Sequence, residues 1–126
     1  MAGTFVGLYF SASWCGACVH CTPELAKVYS AMQLATEKSG KSTSKFEIVF
    51  ISSDRTEQEF QTYFEQMPWL ALPFGHAHSK MLEQHFKVSG IPRLVIVGPD
   101  GKIVNSDAAF TAAYDEGGKN FPWRED

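Results

Sequence analysis

Three cysteines, Cys15, Cys18 and Cys21, fall within seven residues of the stretch SASWCGACVHCTP, which runs from Ser11 to Pro23. Thiols spaced this way can clamp a metal, form a static disulfide, or exchange electrons with other disulfides. If Cys15 opens a helix, its sulfur faces unpaired backbone N–H groups and the positive end of the helix dipole, which favours thiolate over thiol. Cys15 is then the candidate nucleophile. Cys18 lies one turn further on and deeper, yet close enough to attack a mixed disulfide formed at Cys15, so it is the candidate resolving thiol. Gly16 and Ala17 between them permit the bend. Pro23 removes a backbone donor and is expected to kink the helix, leaving the carbonyl of Val19 without an intrahelical partner. Trp14 offers a broad apolar flank that can cover a disulfide and present a docking surface.

A metal site is the rival reading. Cys15, Cys18 and Cys21 with His20, His76 or His78 would supply a tetrahedral set. A structural zinc site, however, usually shows a second paired element at a distance, and His76-Ala77-His78 is the sole approximation. No metal is therefore expected, and no cofactor beyond a redox-active Cys15–Cys18 disulfide. Cys21 reads as a buried inert thiol, with a regulatory thiol as the functional option. Asp54 ends a strand on the side where open α/β sheets bind ligands; it is either a relay for the proton Cys18 must lose or a helix-start residue. The four histidines, His85 among them, read as surface or satisfied residues.

The elements around these residues follow from hydrophobic period. Val6 to Phe10 is a short buried strand feeding SASWC. From about Cys15 to Lys38, Leu25, Val28, Tyr29 and Met32 recur at helical spacing. GKSTSK (40–45) is a polar loop, and FEIVFIS (46–52) a strand covered on both faces. Thr56 to Glu59 forms a capping-box pattern with Phe60, Tyr63, Phe64 and Met67 behind it. MPWLALPF (67–74) is too proline-broken for a regular element and packs over the core. Ser79 to Phe86 is a short helix, RLVIVG (93–98) a strand, and PDGK a tight turn into Ile103 and Val104. Asp107 to Tyr114 is helical, stopped by Gly117-Gly118. The order describes one α/β domain over residues 1–126, a central mixed sheet with helices on both faces.

At 126 residues the chain can bury a core without metal or disulfide staples. A net charge of −3 leaves no footprint for nucleic acid or an anionic membrane. No apolar run approaches the roughly 20 residues that span a bilayer, and MAGTFVGLYF lacks the marks of a secretory signal. A cytoplasmic, intracellular location is expected, where static disulfides are rare.

Tryptophan before CxxC, a proline five residues after the second cysteine, and Gly90-Ile91-Pro92 just before a strand together resemble the thioredoxin-fold oxidoreductases. YFSASWC (9–15), MPWLALPF (67–74), HFKVSGIP (85–92) and FPW (121–123) are similar to the tryparedoxins and their nucleoredoxin-like relatives. The resemblance covers nearly the whole chain. It implies a thiol-disulfide oxidoreductase that reduces protein disulfides such as those of peroxidases by exchange at Cys15 and Cys18. A small dithiol such as trypanothione would re-reduce it. It also implies that Pro92 is a cis-proline turning the Ile91 backbone toward a bound cysteine-containing peptide. Gly16-Ala17 stands where tryparedoxins carry Pro-Pro, Arg93 where the family has threonine, and Ser53 where it has tryptophan. Arg93 beside the disulfide would stabilise the Cys15 thiolate or alter which substrate fits. Thioredoxins keep a buried acid six residues before the first cysteine, and Tyr9 occupies that position here. Relatives begin with a helix and strand ahead of YFSASWC; the fold is expected to lack them, leaving one sheet edge bare. A thioredoxin-like binding or regulatory module without turnover remains the alternative, with a Cys/His zinc domain behind it.

Overall fold

The computed structural model describes residues 3–39 and 45–125. The central strand β1 (Thr4–Ser11) pairs in parallel with β2 (Lys45–Ser52) and antiparallel with β4 (Arg93–Val97). A parallel pair cannot be joined by a tight turn. The connection is the long helix α1 (Gly16–Ser39). Among the described residues five strands lie in the order β3-β2-β1-β4-β5, with β3 (Leu70–Ala71) and β5 (Ile103–Asn105) at the edges.

Strand alternation divides the core in two. Phe5, Tyr9, Phe46, Ile48, Phe50, Leu94 and Ile96 face one way, against α1, α2 (Glu57–Phe64) and α4 (Ala109–Ala113). Phe10, Ile51 and Val95 face the other, against Leu82 and Phe86 of α3 (Ala77–His85) and the following Val88 and Ile91. Helices therefore cover both faces, as the pattern required. On α1 the buried stripe is longer than Leu25, Val28 and Tyr29: it reaches back through Thr22 and Cys21 to Cys18. Both inner thiols thus sit on the core side of the helix.

Several boundaries differ from the sequence reading. MPWLALPF contains a two-residue strand, because between Pro68 and Pro73 the backbone still has free N–H groups, and Leu72 N–H donates to Phe50 O at 3.0 Å. Helix α1 runs on through Pro23 as one element. Helix α2 stops at Phe64, and Met67 closes a turn onto Phe64 O beyond the helix while still packing in the core with Phe60 and Tyr63. Helix α3 begins two residues early because His76 Nδ1 accepts from His78 N–H, an N-terminal cap. Helix α4 is confined to Ala109–Ala113, and Gly117 and Gly118 follow with φ of 74° and 70°. Most of the polar GKSTSK loop, residues 40–44, lies outside the described residues. Thr56 forms both halves of the expected capping box with Glu59.

The register aligns Ser11 with Ser52 and Phe10 with Arg93. The ends of β1 and β2 and the start of β4 therefore meet at one end of the central strands, where α1 also begins. No helix among the described residues is long and apolar enough to cross a membrane.

Candidate active site

Cys15 is the last residue before α1, and Val19 N–H donates to its carbonyl at 3.0 Å, closing the first turn. The Cys18 N–H points at Cys15 Sγ, 3.3 Å away, the amide contact expected of a sulfur at a helix start. All three cysteines carry free thiols. Cys15 is part-exposed, whereas Cys18 and Cys21 have no exposed surface. Gly16 and Ala17 both lie on the solvent side of the turn. A Cβ on Gly16 would meet nothing within 4 Å, so the glycine keeps this side of the motif open without being sterically required.

The Ile91–Pro92 peptide bond is cis, and Cys15 Sγ lies 3.7 Å from Ile91 O. The loop before β4 therefore brings a backbone carbonyl beside the outer thiol. Trp14, the residue before Cys15, is 47% exposed, its Nε1–H donating to Ser53 O at 2.9 Å. Trp14, Ser53, Glu83, Val88, Ser89, Gly90 and Ile91 line an open groove of about 290 Å³ leading to this point. Arg93 points its Nε at Asp107 Oδ1, 3.8 Å away, an ion pair between the start of β4 and the residues after β5.

Asp54, only 8% exposed, neither caps a helix nor bonds to Cys18 among the described residues. Its Oδ1 accepts from Ser13 N–H at 2.7 Å and Ser13 Oγ at 2.6 Å, and its Oδ2 accepts from Ser52 Oγ at 2.7 Å. A buried carboxylate needs such donors. These bonds tie the SASW turn to the end of β2. The helix-start role belongs to Thr56, two residues on.

Around Cys18 the structure gathers four hydroxyls that the sequence reading did not single out as a group. Tyr9 Oη lies 2.8 Å from Thr22 Oγ1, Thr22 Oγ1 lies 2.6 Å from Tyr63 Oη, and Tyr63 Oη lies 2.7 Å from Ser11 Oγ. Thr22 Oγ1 donates to the Cys18 carbonyl at 2.8 Å, and Tyr63 Oη approaches the same oxygen at 3.3 Å. Each hydroxyl has one proton to give. With the Thr22 proton on the Cys18 carbonyl, Tyr9 and Tyr63 must donate to Thr22. Ser11 is left to donate to Tyr63 or toward the Cys18 sulfur. The signals were present as spacing: Tyr9 and Ser11 share a strand face, and Thr22 follows Cys18 by four residues on a helix.

Burial pushes the Cys18 thiol up to about 12, reinforced by the Cys15 side chain and opposed by the Ser11 hydroxyl and the Ala12 backbone. Burial likewise pushes Cys21 up to about 11, and raises Tyr9 and Tyr63 above the ordinary phenol range. Cys21 Sγ lies against Ala109 O at 3.7 Å, in the interface between α1 and α4. His20 packs near the Tyr114 ring, while His76 and His78 sit against each other at the start of α3. The Cys/His set weighed for zinc is thus dispersed. Among the described residues no three His, Cys, Asp or Glu side chains are placed to hold an ion.

Residues 3–103 match the family described as thioredoxin-like. The tryparedoxin of Trypanosoma brucei brucei is 40% identical over 125 residues, which cover 98% of this chain and 81% of that protein. A probable nucleoredoxin 1 of Arabidopsis thaliana is 46% identical over 108 residues, 85% of this chain but only 17% of that protein, so the chain spans a small part of it. Among solved structures, tryparedoxin II complexed with glutathionylspermidine superposes with a TM-score of 0.83 at 39% identity, covering 98% of this chain and 82% of that one. The chain belongs to the thioredoxin-like family, with tryparedoxins and nucleoredoxins as its relatives.

Proposed function

We propose that the protein is a thiol-disulfide oxidoreductase that reduces disulfides of other proteins, peroxidases being the type the family suggests. The observation that carries this reading is the asymmetry of the Cys15–Cys18 pair. One thiol is part-exposed with an amide N–H aimed at its sulfur; the other is sealed and held protonated.

Cys15 Sγ attacks one sulfur of the substrate disulfide, and the other substrate sulfur leaves as a thiolate that takes up a proton. The resulting mixed disulfide sits beside Ile91 O and Trp14. Cys18 then loses its proton and attacks Cys15 Sγ, expelling the second substrate thiol and leaving a Cys15–Cys18 disulfide. Two electrons pass from the protein to the substrate. A small dithiol returns them by the reverse sequence, which a tryparedoxin-like role supports with trypanothione or a similar molecule. Ser11, bonded within the hydroxyl cluster and lowering the Cys18 pKa, is placed to steady the Cys18 thiolate as it forms.

Trapping tests the reading. Cys18→Ser should accumulate covalent complexes through Cys15 when incubated with a disulfide-bonded protein substrate, and Cys15→Ser should not. Equal turnover of insulin by wild type and Cys15→Ser would refute it.

A further inference from the structure

Charge around the outer thiol is uneven in a way the exchange chemistry does not need. The loop between β2 and α2 is pinned at every position: Ser53 O holds Trp14 Nε1–H, Asp54 holds Ser13 and Ser52, and Thr56 caps α2. Between them Arg55 is exposed, its guanidinium 5.1 Å from the centroid of the Trp14 ring. A cation over an indole face is attracted by the ring quadrupole and so held in place. The Glu59 carboxylate, which could neutralise it, accepts instead from the Arg55 and Thr56 backbone N–H groups, each at 3.2 Å. Glu83 holds Ser53 Oγ at 3.2 Å across the groove. Among the described residues the Arg55 guanidinium forms no ion pair, whereas Arg93, two residues beyond Ile91, is paired with Asp107. In a chain of net charge −3, an unpaired arginine is thus fixed on the residue next to the nucleophile.

We infer that Arg55, seated on Trp14, is a specificity-determining residue that receives a carboxylate carried close to the sulfur of the incoming disulfide or thiol. The inference rests on Cys15 being the exchanging thiol. Guanidinium suits this work because it is weakly hydrated and presents a planar fork of donors to a carboxylate. Trp14 adds a second function: it orients the cation as well as flanking the thiol. The shared ligand chemistry is a carboxylate near a sulfur, found both in glutathione-type small thiols and in proteins with an acidic residue beside a cysteine.

The test compares substrates that differ in charge. Rates of reduction are measured for wild type, Arg55→Gln, Arg55→Glu and Arg55→Lys with neutral bis(2-hydroxyethyl) disulfide, anionic oxidised glutathione and cationic cystamine. A pair of peptide disulfides with Asp or Lys next to the cysteine completes the set. The readout is the ratio of anionic to cationic rates within each variant, which cancels any general loss of activity. Wild type should favour the anionic member. Arg55→Gln should lower the ratio about 3- to 10-fold, the scale of a solvent-exposed ion pair, with Arg55→Glu lower still. Arg55→Lys should recover much of the preference, and raising the salt should flatten it in wild type. A shift seen with glutathione alone, with the peptides alone, or with both supports the inference and identifies the source of the carboxylate. Ratios unchanged by Arg55→Gln and Arg55→Glu on every pair, with the neutral disulfide still reduced, overturn it and leave the exchange reading standing. Failure of wild type to reduce the neutral disulfide overturns both.

Discussion

Replacing Cys15 by serine isolates the inner thiols and turns their burial into a rate. Cys18 is raised to about 12 from an ordinary 9.0, and burial, the largest cause, does not depend on Cys15. Below about pH 9 a thiol raised this far has a thiolate fraction about a thousandfold smaller than that of a free thiol, an upper figure for the variant because the part of the rise that Cys15 supplies is removed. A more basic thiolate is also more nucleophilic, and a Brønsted coefficient of 0.4–0.5 returns about 15- to 30-fold of the loss. The net slowing is therefore about 30- to 60-fold before access is considered. Cys18 has no exposed surface, so the measured factor should be larger. The assay is iodoacetamide alkylation of Cys15→Ser between about pH 6 and 9, with the label located by mass spectrometry and a cysteine peptide as reference. Because Cys18 titrates far above this range, its slow labelling should rise about tenfold per pH unit without a plateau. Labelling of Cys18 within fivefold of the peptide, or a plateau inside the range, would show that the inner thiol is neither sealed nor held protonated. The division of labour proposed for the pair would then fail.

Ser11→Ala removes the side chain that opposes the rise of the Cys18 pKa. Resolution should slow about tenfold and mixed disulfide should build up in rapid-quench experiments, with the pH profile of resolution displaced upward; an unchanged profile would remove Ser11 from the mechanism. A Cβ added at Gly7 would sit 3.0 Å from Leu94 Cδ1 and 3.1 Å from the Phe46 ring. Gly7→Ala should therefore cost about 1–3 kcal/mol, read as a lower melting temperature with the Cys15 alkylation rate intact. Cys18, Cys21 and Tyr29 all bind protons more tightly folded than unfolded, with values near 12, 11 and 12. The stabilisation from these groups is complete below about pH 9 and is lost as pH rises toward 12, because the unfolded chain then binds fewer protons. Cys21→Ala should blunt that alkaline loss in urea titrations; an unblunted loss would contradict a buried, neutral Cys21.

The parts of the molecule that were legible are those fixed by short-range pattern. The helix after CxxC, the Thr56 capping box and the strands either side of the site need only hydrophobic period and local hydrogen bonding. The two-residue strand at Leu70–Ala71 escaped because its pairing with Val49 and Phe50 is a tertiary fact set against two prolines. Asp54 was legible as a residue at the right end of the sheet, but its work with Ser13 joins positions 41 residues apart, and spacing carries no record of that. Arg93 was read as a neighbour of the disulfide, and its pairing with Asp107 depends on where the chain returns after β5.

Tyr9 joins these observations. A carboxylic acid at this depth would bring a charge needing donors of its own, and its titration would be coupled to that of Cys18. Tyr9 brings a phenol whose burial holds it neutral, and with Thr22, Tyr63 and Ser11 it forms a network of neutral hydroxyls. Such a network can rotate its protons toward a forming thiolate without taking one away. The proton leaving Cys18 must then pass to the departing substrate thiolate or to water at the mouth of the site. Resolution in this protein should accordingly depend on the acidity of the substrate thiol it expels, with more basic leaving thiols being slower to expel yet better proton acceptors. A series of mixed disulfides at Cys15, made with thiols of graded acidity, would separate these opposing effects. A monotonic dependence with a slope as steep as in free solution would mean that the leaving thiol takes no part in removing the proton.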